Sequence, residues 1–131
     1  MRYLIPYEAI KRAVRTTTAG GEPRVEMSRD DFETIVRLLI QGVDVDEAWY
    51  CETYPDIGAA VRSGAVASAK AHFVSDGFFE GRRPYPMAID EAWYLGQYPD
   101  VAEFLREGRL ESAQGHFDED GYREGRLPFA V

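Results

Sequence analysis

The side chains able to do chemistry in this chain come in pairs. His72 and His116 each stand four residues after a serine, Ser68 and Ser112. On a helix that spacing makes neighbours, and a hydroxyl beside an imidazole is the start of a nucleophile–base pair. The competing reading is structural: each serine bonds the backbone carbonyl four residues back, and each histidine bonds a nearby carbonyl or carboxylate. The structural reading is the expectation here. An enzyme with a site at the repeat junction, built from His72, Asp76, His116 and Asp120, remains an alternative. Cys51, the one cysteine, gives way to Leu95 in the matching position, so no catalytic thiol and no disulfide is expected.

No other constellation points to catalysis. There is no Gly-rich phosphate loop, no G-x-S-x-G, no H-E-x-x-H, and no Cys–His pair with an orienting third group. No catalytic residue, metal or cofactor is assigned. The acidic run Asp118-Glu119-Asp120-Gly121 lacks the spaced oxygens and closing Glu of a calcium loop, and its counterpart Val74-Ser75-Asp76-Gly77 has lost most of the charge. Arg82 and Arg126 each follow Glu-Gly. A two-point clasp onto Asp56 and Asp100 would tie the end of a unit to its middle. The rival use is a phosphate or sulfate site at those arginines. Trp49 and Trp93, with the tyrosines beside them, suit a core between helices, with a sugar or peptide platform as the alternative. A small-ligand reading therefore collects Arg82, Arg126, His72, His116, Trp49 and Trp93 around a sugar phosphate or nucleotide sugar.

These pairs exist because the chain repeats itself. Residues 45–85 and 89–129 superpose with a shift of 44 and no gap, and 20 of the 41 pairs are identical. Charge follows the same division. Residues 1–42 hold seven Lys/Arg against six Asp/Glu, whereas residues 43–131 hold eight against seventeen. The acidity belongs to the repeats. It argues against a nucleic-acid surface, since little positive charge is present to displace phosphate counterions. No apolar run approaches the ~20 residues of a membrane span, and Arg2 followed by a short apolar patch, Pro6 and Glu8 is not a signal-peptide pattern.

The elements that must position the paired residues are short helices. Asp46 and Asp90 are placed to cap a first helix beginning Glu-Ala-Trp-Tyr. Tyr-Pro-Asp at 54–56 and 98–100 breaks it, and the proline opens a second helix. Gly64 and Gly108 end that one. A third carries Val66, Ala69 and Phe73, matched by Leu110, Ala113 and Phe117, with Gly77 and Gly121 expected as left-handed caps. Ahead of the repeats, Tyr7, Ile10 and Val14 share a helical face, Arg2–Ile5 suits a helix or a strand, and Thr16–Pro23 reads as a loop. Ser28 caps a helix with Asp31 in a capping-box position, and Phe32, Ile35, Val36 and Leu39 form its apolar face, widened by Leu38 and Ile40. That face exceeds what one partner needs.

The expected fold is all-α: a short helical N-terminal element, residues 1–42, packed on two tandem three-helix repeats, 43–88 and 89–131. Two units fall short of a stable solenoid, so the N-terminal helix acts as a cap or as a homodimer contact through residues 29–41.

The pattern Tyr-Pro-Asp-Val/Ile, Gly, Ser-Ala-x-x-His-Phe, Gly-x-x-Glu-Gly-Arg-x-Pro resembles short accessory repeats of bacterial proteins that also carry glycosyltransferase or sulfotransferase domains, and of polysaccharide-associated proteins. The resemblance covers both repeats and brings no catalytic residue. It implies a non-catalytic protein-interaction or scaffold module, cytoplasmic, tied to envelope polysaccharide work.

Overall fold

The computed structural model describes residues 4–131. The chain is predominantly helical, with eight α-helices and one two-stranded sheet among the described residues. It divides into two compact units, Met1–Asp76 and Gly77–Val131. The N-terminal element and the first repeat's helices thus belong to one unit.

In the first unit, α1 (Tyr7–Ala13) leads into β1 (Arg15–Ala19) and β2 (Glu22–Glu26). Thr16–Pro23, expected as a loop, is instead most of an antiparallel hairpin whose register runs from Arg15 opposite Glu26 to Ala19 opposite Glu22. The turn is Gly20-Gly21, with φ of 62° and 81°. Two positive φ values match the right-handed twist of the strands, and only glycine adopts them freely. Of the strand option at Arg2–Ile5, Leu4 and Ile5 are irregular, and Arg2 and Tyr3 lie outside the described residues.

Helix α2 (Arg29–Ile40) starts at Ser28, whose Oγ accepts the Asp31 N–H at 3.1 Å. Its wide apolar face has two uses. Val36 and Ile40 join a core with Tyr50, Ile57, Ala69 and Phe73, while Phe32 and Leu39 stay exposed. Arg37 fixes the helix further by donating to the Ser75 carbonyl at 3.1 Å.

Three short helices follow: α3 (Glu47–Thr53), α4 (Pro55–Arg62) and α5 (Ala69–His72). The second unit has α6 (Glu91–Gln97), α7 (Pro99–Arg106) and α8 (Ala113–His116). The same local chemistry acts in both. Asp46 and Asp90 accept the Trp49 and Trp93 N–H groups, each at 3.0 Å. Pro55 and Pro99 open α4 and α7, where a missing N–H costs nothing. Tyr94, Val101, Ala113 and Phe117 form the second unit's core.

The third helix begins later and ends differently than its sequence suggests. Val66 and Leu110 precede it, and Ser68 and Ser112 are its N-caps, accepting from Ala71 at 3.0 Å and Gly115 at 2.9 Å. A serine at the cap has no helical carbonyl four residues back, so the expected back-bond is replaced by this one. Each helix then widens into a π turn, Phe73–Gly77 or Phe117–Gly121. The expected left-handed caps Gly77 and Gly121 are not in that conformation. Gly81 and Gly125, with φ of 75° and 79°, are. The Arg126 N–H reaches the Gly121 carbonyl at 2.9 Å and the Gly125 N–H reaches Tyr122 at 3.1 Å, the paired bonds of a Schellman stop. The wide turn carries the helical path four residues beyond the first glycine.

Candidate functional site

The second unit brings most of the paired residues together. Tyr94, on α6, is fully buried, and its hydroxyl lies 3.0 Å from His116 Nδ1 on α8. Burial pushes the Tyr94 phenol up to about 12, because phenolate would be formed away from water. Gly121 makes room for this pair: a Cβ there would collide with the Tyr94 hydroxyl and crowd the His116 ring. The first unit holds the same contact, Tyr50 hydroxyl to His72 Nδ1 at 2.9 Å. The histidine partner is thus a tyrosine hydroxyl, not the carbonyl or carboxylate expected. Each histidine closes its bond within its own unit.

Arg126 folds back on Asp100. Nη1 meets Oδ1 at 2.9 Å and Nη2 meets Oδ2 at 2.7 Å, a parallel fork. Nε donates to Glu124 at 2.6 Å, and the guanidinium carbon sits 4.9 Å from the Tyr98 ring centre. The Tyr98 hydroxyl in turn accepts the Leu127 N–H at 2.8 Å. The Arg126 hydrogen bond holds the Asp100 carboxyl below its usual range, and the same bond raises the guanidinium. Two carboxylates already neutralise Arg126, so an arriving phosphate would meet their repulsion. Asp56 belongs to the first unit and Arg82 to the second; Arg82 Nε donates to Glu80 at 2.7 Å.

The tryptophans are structural neighbours of the same cores. Trp49 and Trp93 are half-buried and meet Tyr54 and Tyr98 edge-on, at 6.3 and 6.2 Å between centroids. Neither is a bare platform.

Several polar contacts have no signature in the spacing of motifs. Glu47 on α3 accepts the Ala69 and Lys70 N–H groups at 2.7 and 3.0 Å, closing the start of α5 from across the unit. In the second unit Asp118 receives Arg83, itself buried, at 2.6 Å and Gln114 at 3.0 Å. Gln114 also joins Met87 and Ile89. The acidic run thus supplies a structural ion pair. Replacement of Lys70 by Gln114 and of Val74 by Asp118 between the repeats was the available hint.

Among the described residues no cluster of three or more His, Cys, Asp or Glu could hold a metal ion, and no helix is long and apolar enough to cross a membrane. Comparison of the chain with protein-family models, curated proteins and solved structures returned no match.

Proposed function

We propose that this chain is a non-catalytic interaction module. The observation that carries the reading is where the duplicated polar side chains direct their bonds. Tyr94 faces His116, Arg126 faces Asp100 and Glu124, and Ser112 caps its own helix. Through these bonds the residues held twice serve the framework. Two large apolar side chains on α2 also stay outside: Phe32 is 56% exposed and Leu39 37%. Large exposed apolar side chains on one helix face suit a protein contact.

The partner is a protein or a second copy, meeting residues 29–41 through Phe32 and Leu39. The resemblance of the repeat motif to accessory segments found beside glycosyltransferase domains and in polysaccharide-associated proteins supports a role in envelope polysaccharide synthesis, on the cytoplasmic side. Light scattering of the full chain across a concentration series tests the self-contact. A dimer that becomes a monomer in Phe32→Glu, with unchanged circular dichroism, supports it. A monomer at every concentration moves the contact to another protein. Turnover by a purified monomer would sink the module reading altogether.

A further inference from the structure

The two histidines differ in their surroundings. Around His116 the second unit has a cleft of about 340 Å³ lined by Arg109, Glu111, Ser112 and Glu119, with Leu110 and Gly115. The matching positions around His72 are Ala65, Ala67, Ser68 and Ser75. The serine and histidine are kept; one cation and two carboxylates are added only in the second copy. A merely structural histidine does not need them.

Hydrogen-bond accounting selects one tautomer for the neutral His116 ring. Tyr94 is 0% exposed, and among the described residues the one partner of its hydroxyl is His116 Nδ1. The arrangement that also donates the buried Tyr94 O–H has Nδ1 accepting it and the neutral ring's proton on Nε2. Nε2 has no partner among the described residues, although His116 is only 8% exposed. No buried side-chain nitrogen or oxygen among the described residues is left unpaired, so Nε2 is open to solvent. His116 lines the cleft, and its solvent-open Nε2–H is the donor it has to offer a ligand there.

We propose that the cleft beside His116 binds a small zwitterion of the α-amino acid class. The ligand carboxylate accepts from His116 Nε2–H and the Ser112 hydroxyl and faces Arg109, whose guanidinium lies 3.9 Å over the Phe104 ring and gives one long, exposed bond of 3.3 Å to Glu107, while its ammonium faces Glu111 and Glu119. Ser112 accepts the Gly115 N–H through its oxygen, which leaves its own proton to give. Phosphate is excluded by charge, since two carboxylates oppose one guanidinium in the lining. Neutral sugars lack the aromatic face on which they would lie, Leu110 being the apolar side chain present. The volume is at the lower end for small-molecule sites. Tyr94 is a positioning residue, holding the ring tautomer that donates.

The test uses the intact protein and the standard amino acids, one at a time at millimolar concentration, read by imidazole ¹H–¹⁵N correlation. His72 is the control within the same molecule. The expected result is a saturable shift of His116 signals by at least one amino acid, with His72 unmoved. Acetate or methylammonium alone should bind far more weakly. Arg109→Ala and Glu111→Gln, both at exposed positions, should each weaken binding roughly tenfold, the loss of one charged contact. Tyr94→Phe should move the His116 ¹⁵N shifts toward the mixed tautomer. The proposal is overturned if no amino acid shifts His116, if His72 responds equally, or if Arg109→Ala and Glu111→Gln bind as wild type does.

Discussion

Arg126 reaches back 26 residues to grip both carboxylate oxygens of Asp100, and in doing so it joins the last turn of the second unit to the start of α7. The guanidinium is mostly covered and the carboxylate half exposed, at 19% and 49%. Solvent therefore screens part of the attraction. Arg126→Ala should lower stability by about 1–2 kcal/mol, above an ordinary surface pair because the fork and the Tyr98 ring are lost together. Urea titration measures it, and added salt should shrink the difference.

The same pair has an acid signature. The Asp100 carboxyl is held below its ordinary value of 3.8 by Arg126. Its contribution is thus fully present above the unfolded value and is lost as pH falls through the lower folded one. Wild type and Asp100→Asn should differ in melting temperature at neutral pH and converge in acid below pH 3.8. A constant gap down to strongly acidic pH would contradict the ion pair.

At the alkaline end Tyr94 dominates. Its phenol rises from 10.0 to about 12 on folding. A group that holds its proton more tightly when folded contributes fully below the unfolded value, and that contribution drains as pH rises from about 10 to about 12. Tyr94→Phe should remove one late step from the near-ultraviolet phenolate titration. It should also cost about 1–2 kcal/mol at neutral pH, since His116 Nδ1 loses its partner.

Glycine substitutions separate space from conformation. Gly121→Ala presses a methyl group against the Tyr94 hydroxyl and should destabilise by about 1–3 kcal/mol. Gly125→Ala meets nothing within 4 Å but must adopt φ +79°, at about 1 kcal/mol. Gly96→Ala, in α6 with open space around it, should stabilise by about 0.5–1 kcal/mol. Thermal melts of the three variants should fall in that order.

Helix α2 divides between core and surface. Ile40→Ala should cost about 2–5 kcal/mol, as for other buried aliphatic truncations, because Ile40 sits in the first unit's core. Phe32→Ala should stay within about 0.5 kcal/mol. Equal effects would mean that Phe32 is covered.

Local chemistry is what the linear chain determined. Asp46, Asp90 and Ser28 cap helices because a short oxygen-bearing side chain meets the free N–H groups wherever it stands. Pro55 and Pro99 divide helices through a fixed φ and a missing donor, and the helical class and the 44-residue shift follow from such signals. The Gly20-Gly21 hairpin is not legible in the chain, which suggests a loop there, because a strand pair without a buried face leaves no apolar alternation to read. The Asp100–Arg126 pair could be named from repetition. Tertiary structure decided the rest. Which group His116 bonds, that the helix widens past Gly121, and that Arg83 meets Asp118 all depend on where separate helices cross. Those contacts join residues far apart in the chain. Sequence spacing carries the period of one element, whereas a hydrogen bond across elements is set by three-dimensional distance and by the need to satisfy every buried donor.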